Sequence, residues 1–272
     1  MSNISSSAFA DTKAHYDLLD GLRGVAALMV IWYHIFEGYA FAEVTNSAGS
    51  GMIETFNHGY LAVDFFFILS GFVIGYAYDD RWGKSMTMKN FFKRRLIRLH
   101  PMVIMGAVLG AVTFYLQGCV QWDGAHVAIS MVMLSLLCTI FFIPAMPGVG
   151  YEVRGNGEMF PLNGPCWSLF FEYIGNILYA LFIRRLSNKA LTILVVLLGI
   201  ALASFAVFNV SVYGNIGVGW TLDGVNFLGG SLRMLFPFSL GMLLSRNFKP
   251  VKIRGAFWIC TIILLALFSV PY

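Results

Sequence analysis

Eight apolar runs, each close to the length of a membrane crossing, decide what this chain can fold into. They lie near residues 21–40, 60–78, 101–117, 125–143, 165–185, 190–210, 227–245 and 255–271. About 20 mostly apolar residues are needed for a helix to span the hydrocarbon core. Inside that core every backbone N–H and C=O must be satisfied within the protein, which leaves helices or a closed barrel. The runs show neither the alternation of a barrel strand nor an internal repeat. The expected fold class is therefore all-α, a polytopic transmembrane helical bundle of about eight membrane segments, one of them re-entrant. Composition agrees: 58% of residues are hydrophobic and only 12% charged, against about 25% charged in soluble domains. The start, residues 1–16, is too polar for a cleavable signal peptide and reads as a cytoplasmic segment ahead of one membrane domain, 17–272.

The net charge of +4 is no nucleic-acid footprint, because the basic residues cluster between apolar runs. Arg81, Lys84, Lys89, Lys93, Arg94, Arg95 and Arg98 form one cluster, Arg184, Arg185 and Lys189 a second, Arg246, Lys249, Lys252 and Arg254 a third. The positive-inside rule sends all three to the cytoplasm. The connection 40–59 holds Glu43 and Glu54 but no Lys or Arg, so it should face outside. Three apolar runs then separate the first two basic clusters, an odd number for turns on one side. A re-entrant or tilted segment at 101–117 or 125–143 would restore parity, with the Gly- and Pro-rich stretch 143–164 outside against a cavity mouth. The four cysteines, Cys119, Cys138, Cys166 and Cys260, have no metal-ligand or redox spacing and read as small apolar fillers, so no metal is expected.

Polar residues inside the runs need a reason, since a charge facing lipid costs about 2.5–3.5 kcal/mol on insertion scales. In "GLRGVAALMVIWYHI" (21–35), Arg23 and His34 are eleven residues apart. At 100° per residue that is about 1,100°, three turns and about 20°, so both lie on one helix face about 16 Å apart. Asp64 and Ser70 fall in "AVDFFFILSGFVIG". Ser168, Glu172 and Asn176 recur every fourth residue in "GPCWSLFFEYIGNILY" and form one stripe. Hydrogen bonds between helices account for Ser168 and Asn176, whereas Glu172 needs a cationic partner, for which Arg233 is the expected candidate. A histidine, carboxylates and arginines turned toward one interior could transfer a group, relay protons or conduct a substrate.

Taken together, these residues resemble the acyltransferase-3 family of integral membrane O-acyltransferases, which acylate polysaccharides and related surface molecules. "LDGLRGVAALMVIWYHI" (19–35) is similar to the family's first-helix signature. "AVDFFFILSGFVI" (62–74), "FFKRRLIRLHP" (91–101), "NGPCWSLFFEY" (163–173) and "RMLFPFSLGMLL" (233–244) match further blocks in order. The resemblance runs from about residue 17 to 250. It implies about ten membrane helices, so a chain with eight is expected to lack the last ones. Asn176 stands where relatives often carry an aromatic residue.

The resemblance implies transfer of an acyl group, acetyl above all, from cytoplasmic acyl-CoA to a hydroxyl of a saccharide or glycan acceptor, with no permanently bound cofactor. His34, Arg23 and Glu172 are the expected catalytic residues. His34 suits the base, because an imidazole titrates near neutral pH, and an acyl-histidine intermediate is an alternative route. Arg23, Arg94, Arg95 and Arg98 are expected to hold the phosphates of the donor, which arginine grips with two parallel N–H bonds. Asp64, Ser70, Trp167, Ser168, Asn176 and Arg233 are expected to line the cavity. The lipid bilayer is the surroundings, in a bacterial inner membrane, and nucleic acid is not a partner. Two rival readings stand beside this one: a proton-coupled transporter using His34, Glu172 and Asp64 as a relay, and an inactive shortened relative that assists surface-polymer assembly.

Overall fold

The computed structural model describes residues 16–41, 58–212, 214–249 and 251–269. The connection 42–57 and residues 1–15 of the polar start lie outside the described residues. Eight α-helices and no strands form among them: α1 Asp17–Phe41, α2 Ala62–Tyr78, α3 Met88–Leu116, α4 Ile129–Ile140, α5 Cys166–Leu181, α6 Asn188–Val207, α7 Gly224–Asn247 and α8 Ala256–Phe268. The expected all-α membrane fold is present. Six regions, those of α1, α2, α3, α5, α6 and α7, are long and apolar enough to cross a membrane, whereas α4 and α8 are shorter.

The chain divides into two compact units, Met1–Ala62 with Pro250–Tyr272, and Val63–Lys249. In the first unit α1 lies against α8, and a side chain at Gly21 would meet the Phe257 ring. The His58 amide donates to the Phe268 carbonyl at 2.9 Å.

In the second unit α2 and α7 run parallel. Asp64 near the start of α2 pairs with Arg233, and Asp79 just past its end pairs with Arg246. Between these pairs the two backbones touch: a Cβ on Gly71 would strike the Phe238 carbonyl, and one on Gly241 the Ile68 carbonyl. Small residues allow such an approach, and in lipid, where apolar burial drives little, close packing is what holds helices together. Phe67, Ile74, Phe91, Phe171, Tyr179, Met234 and Phe238 fill the core around them.

The basic run from Lys89 to Arg98 is helical rather than a connection. Thr87 caps α3 by accepting from the Asn90 amide at 3.3 Å, and the helix runs 29 residues with Pro101 inside it, about 43 Å. Lysine and arginine are good helix formers, so the helix begins thirteen residues before the apolar run that marks it in the sequence. α4, with 12 residues, is about 18 Å long, short of the roughly 30 Å hydrocarbon core.

These lengths remove the parity problem. Asp79 accepts from the Tyr179 hydroxyl and from Arg246 Nε, each at 2.8 Å. The Arg184 guanidinium stacks 4.1 Å over the Trp82 ring, and Arg246 also donates to the carbonyls of Leu186 and Arg184. The three basic turns therefore meet at one end of the unit. Only α3 and α5 have crossing length between the first two, and α4 is the short segment. The stretch 143–164 packs at the opposite end, with Leu162 against Gly110 in the far half of α3 and the Met159 amide donating to the Trp220 carbonyl at 2.9 Å.

Candidate active site

Three helices of the second unit bring a carboxylate, a guanidinium and a hydroxyl together midway along α2 and α5. Glu172 Oε1 accepts from Ser70 Oγ and from Arg95 Nη2, each at 2.6 Å. The side chains of Arg95 and Glu172 are only 4% and 16% exposed, so their attraction is little screened. On α3 the neighbours Lys93, Arg94 and Arg98 are exposed, and Arg95 alone of the four turns inward. One turn beyond Glu172, the fully buried Asn176 donates its amide to the Glu172 backbone carbonyl at 2.8 Å. A carboxylate fixed by two donors is well suited to position other groups, because its own rotamer is locked.

A second cluster lies toward the end away from the basic turns. Arg233, 1% exposed, sets Nε and Nη2 against the two Asp64 oxygens at 3.2 and 2.7 Å, a fork-on-fork pairing. Its Nη1 donates to the Val218 carbonyl at 2.9 Å. The same guanidinium lies 5.2 Å from the centre of the Trp167 ring, within cation–π range. Ser168, next to Trp167, donates to the Pro165 carbonyl at 2.9 Å.

Arg23 and His34 belong to the first unit. Arg23 pairs with Asp20, one turn earlier, at 2.6 Å, with 28% of its side chain exposed. His34 is exposed on α1, edge-on to the Tyr33 ring at 5.3 Å between centroids.

A family model described as an acyltransferase domain, that of acyltransferase-3, matches residues 16–272, nearly the whole chain. The chain belongs to the acyltransferase-3 family. It is 34% identical to protein 2 in the picA locus of Rhizobium radiobacter over 69% of this chain and 95% of that one. It is 28% identical to the peptidoglycan O-acetyltransferase OatA of Listeria monocytogenes, over 96% of this chain and 41% of the relative. With the acyltransferase MdmB of Streptomyces mycarofaciens it shares 28% identity over 61% of this chain and 38% of the other. The chain thus spans about two fifths of OatA and MdmB. No solved structure matches.

Within this acyltransferase-3 chain the expected residues fall into separate groups. Ser70, Arg95, Glu172 and Asn176 form one cluster, Asp64, Trp167 and Arg233 another, and Arg94 and Arg98 stand exposed on α3. The expected pairing of Glu172 with Arg233 is not formed. The parallel register of α2 and α7 puts Arg233 level with Asp64, while Glu172 sits level with Ser70, where α3 supplies Arg95. Arg95, expected with Arg94 and Arg98 at the donor phosphates, is buried beside Glu172 instead. Sequence reasoning read Arg246 only as a topology charge and passed over Asp79 and Tyr179, whose network with it ties the basic turns together. Their signal was present as an aspartate just past a membrane run, but cationic loops read as topology first.

Proposed function

We propose that this chain is a membrane O-acyltransferase that moves an acyl group, acetyl in the reading we favour, from acyl-CoA to a hydroxyl of a cell-surface or exported saccharide. The family membership carries the reading, and the likeness to a peptidoglycan O-acetyltransferase over 96% of the chain suggests the glycan acceptor. The basic turns gathered at one end suit the cytoplasmic side of a bacterial inner membrane, where acyl-CoA is available. Arg94 and Arg98, exposed next to that end, serve the donor phosphates in this proposal, with Arg23 of α1 as a further phosphate ligand. His34 takes the proton of the attacking hydroxyl, work that typically contributes about 10²–10⁴-fold. Glu172, locked by Arg95 and Ser70, positions the reacting groups, and Asp64, Trp167, Ser168, Asn176 and Arg233 shape the cavity.

The test is transfer of labelled acetyl from acetyl-CoA into the saccharide fraction of membrane vesicles holding the protein. His34→Gln keeps one hydrogen-bonding group but cannot cycle a proton, and should lose transfer by at least about 100-fold with folded protein unchanged. Transfer near the wild-type rate in that variant would remove His34 from the mechanism. A wild-type protein that transfers no acyl group would overturn the function itself.

A further inference from the structure

Two buried donors flank Glu172 without an acceptor. Arg95 Nε and the Tyr173 hydroxyl hydrogen-bond nothing among the described residues. Arg95 as a whole is 3% exposed. Arg95 bonds Glu172 from α3, and Tyr173 is the residue next to Glu172 on α5. A buried polar group left unsatisfied is destabilising, so two of them in a membrane interior, one on the arginine that pairs with Glu172 and one on the residue after it, call for a reason.

A second observation points to the same place. Phe142 follows the end of α4 in the left-handed region, with φ of +60°, a conformation usually left to glycine. Its amide donates to the Thr139 carbonyl and that of Ile143 to the Cys138 carbonyl, at 3.0 and 2.8 Å. This is a Schellman ending with phenylalanine in the glycine position. The Phe142 ring stands 5.0 Å edge-on from the Tyr173 ring and 6.2 Å from His100 of α3. Backbone strain at a bulky residue, kept next to an unsatisfied phenol, fits a site held in shape for something that binds there.

Resting on the acyltransferase reading, we infer that Tyr173 O–H and Arg95 Nε–H are the donors that receive the carbonyl oxygen of the acyl thioester. Electrostatics selects this ligand class. Glu172 already balances the Arg95 charge, so a permanent anion such as a phosphate would meet a neutral pair and a nearby carboxylate. A carbonyl enters uncharged and gains negative charge only as it reacts, where pre-set donors act most strongly. The acceptor hydroxyl oxygen bonds to the carbonyl carbon, its proton passes to the base, and the C=O π pair moves onto the oxygen held by Tyr173 and Arg95. When the C=O bond re-forms, the carbon–sulfur bond breaks, and the CoA thiolate leaves with its electron pair and takes the proton from the base. Tyr173 is thus a further catalytic residue, one that sequence reasoning did not single out.

Tyr173→Phe tests this, because it deletes one oxygen and leaves the ring against Phe142. A hydroxyl kept for the reaction and bonded to nothing in the resting protein predicts two results together. Transfer of labelled acetyl from acetyl-CoA into the vesicle saccharide fraction should fall about 100-fold in kcat, with little change in KM for acetyl-CoA. The melting temperature of the detergent-solubilised variant should be equal to or above that of wild type. Wild-type activity with Tyr173→Phe within twofold of it would overturn this inference and leave the acyltransferase reading standing. A lowered melting temperature would also overturn it, since the hydroxyl would then be a structural bond. An inactive wild-type protein would overturn both.

Discussion

Glu172 announced its need for a cation in the sequence, but not which one would answer. A charge on the stripe of α5 could not face lipid, and that much follows from residue type and spacing alone. The choice between Arg95 and Arg233 depends on how far each helix slides along its neighbour, which no single run of residues encodes. In the folded unit Arg95 reaches Glu172 at 2.6 Å and Arg233 is taken by Asp64 at 2.7 Å. The pairings are open to a double-variant test. Removing one member of a buried pair leaves the other charge uncompensated and typically costs about 3–5 kcal/mol, whereas replacing both is far milder. Glu172→Gln should therefore lower the melting temperature in detergent more than Glu172→Gln combined with Arg95→Met. Combining Glu172→Gln with Arg233→Met should be worse than either alone, because it breaks two pairs. Rescue by Arg233→Met would show that the sequence-based pairing was right after all.

Helix positions were legible because apolar runs mark them, and helix ends were less so. The first turns of α3 hide in a basic cluster that hydropathy discounts, although Thr87 supplied a capping signal. The touching of α2 and α7 at Gly71 and Gly241 was invisible because a glycine in an apolar run has many uses. Gly71→Ala should push the α7 backbone away and cost about 1–3 kcal/mol as overpacking does, read as a lower melting temperature. Gly24→Ala on α1 is the control: a Cβ there meets nothing within 4 Å, and alanine is the better helix former by roughly 0.5–1 kcal/mol. Equal losses at the two positions would mean that the close approach is not there.

The start of α7 adds a pH signature to the same scale. Asp223 accepts from the Val225 and Asn226 amides at 3.0 and 2.9 Å and from the Thr221 hydroxyl. Burial pushes its carboxyl up, but the bonds from Asn226, Thr221 and Val225 outweigh that and hold it below the ordinary 3.8. Because the folded value is depressed, the cap contributes above the unfolded value of about 3.9 and its contribution disappears as pH falls through the folded value. Asp223→Ala should lower stability at pH 7 by about 0.5–2 kcal/mol. The gap to wild type should narrow only below pH 4; a gap that is constant down to pH 3 would remove the carboxylate from the account.

At the scale of the whole molecule, the charge distribution gave the sidedness of the turns but left one crossing too many. Lengths resolve it, since α4 at 12 residues is too short to span while the helices on either side are not. The contacts among Asp79, Tyr179, Trp82, Arg184 and Arg246 hold the turns after α2 and α5 and the end of α7 together. Two turns bonded to each other cannot lie on opposite faces of a membrane, whichever face it is. Ser85 and Lys189 are exposed in the first two turns, and Asp123 is exposed in the connection between α3 and α4 at the other end. With the four native cysteines replaced by alanine, single cysteines at these positions can be challenged with a membrane-impermeant thiol reagent. Positions 85 and 189 should respond alike, protected in intact cells and labelled after permeabilisation, and position 123 should be labelled from outside. If 85 and 189 responded oppositely, α4 would have to cross as well and the bonded turns could not exist in the membrane. If all three followed the opposite pattern, the fold would survive, but the donor phosphates would have to be sought at the other end of the bundle.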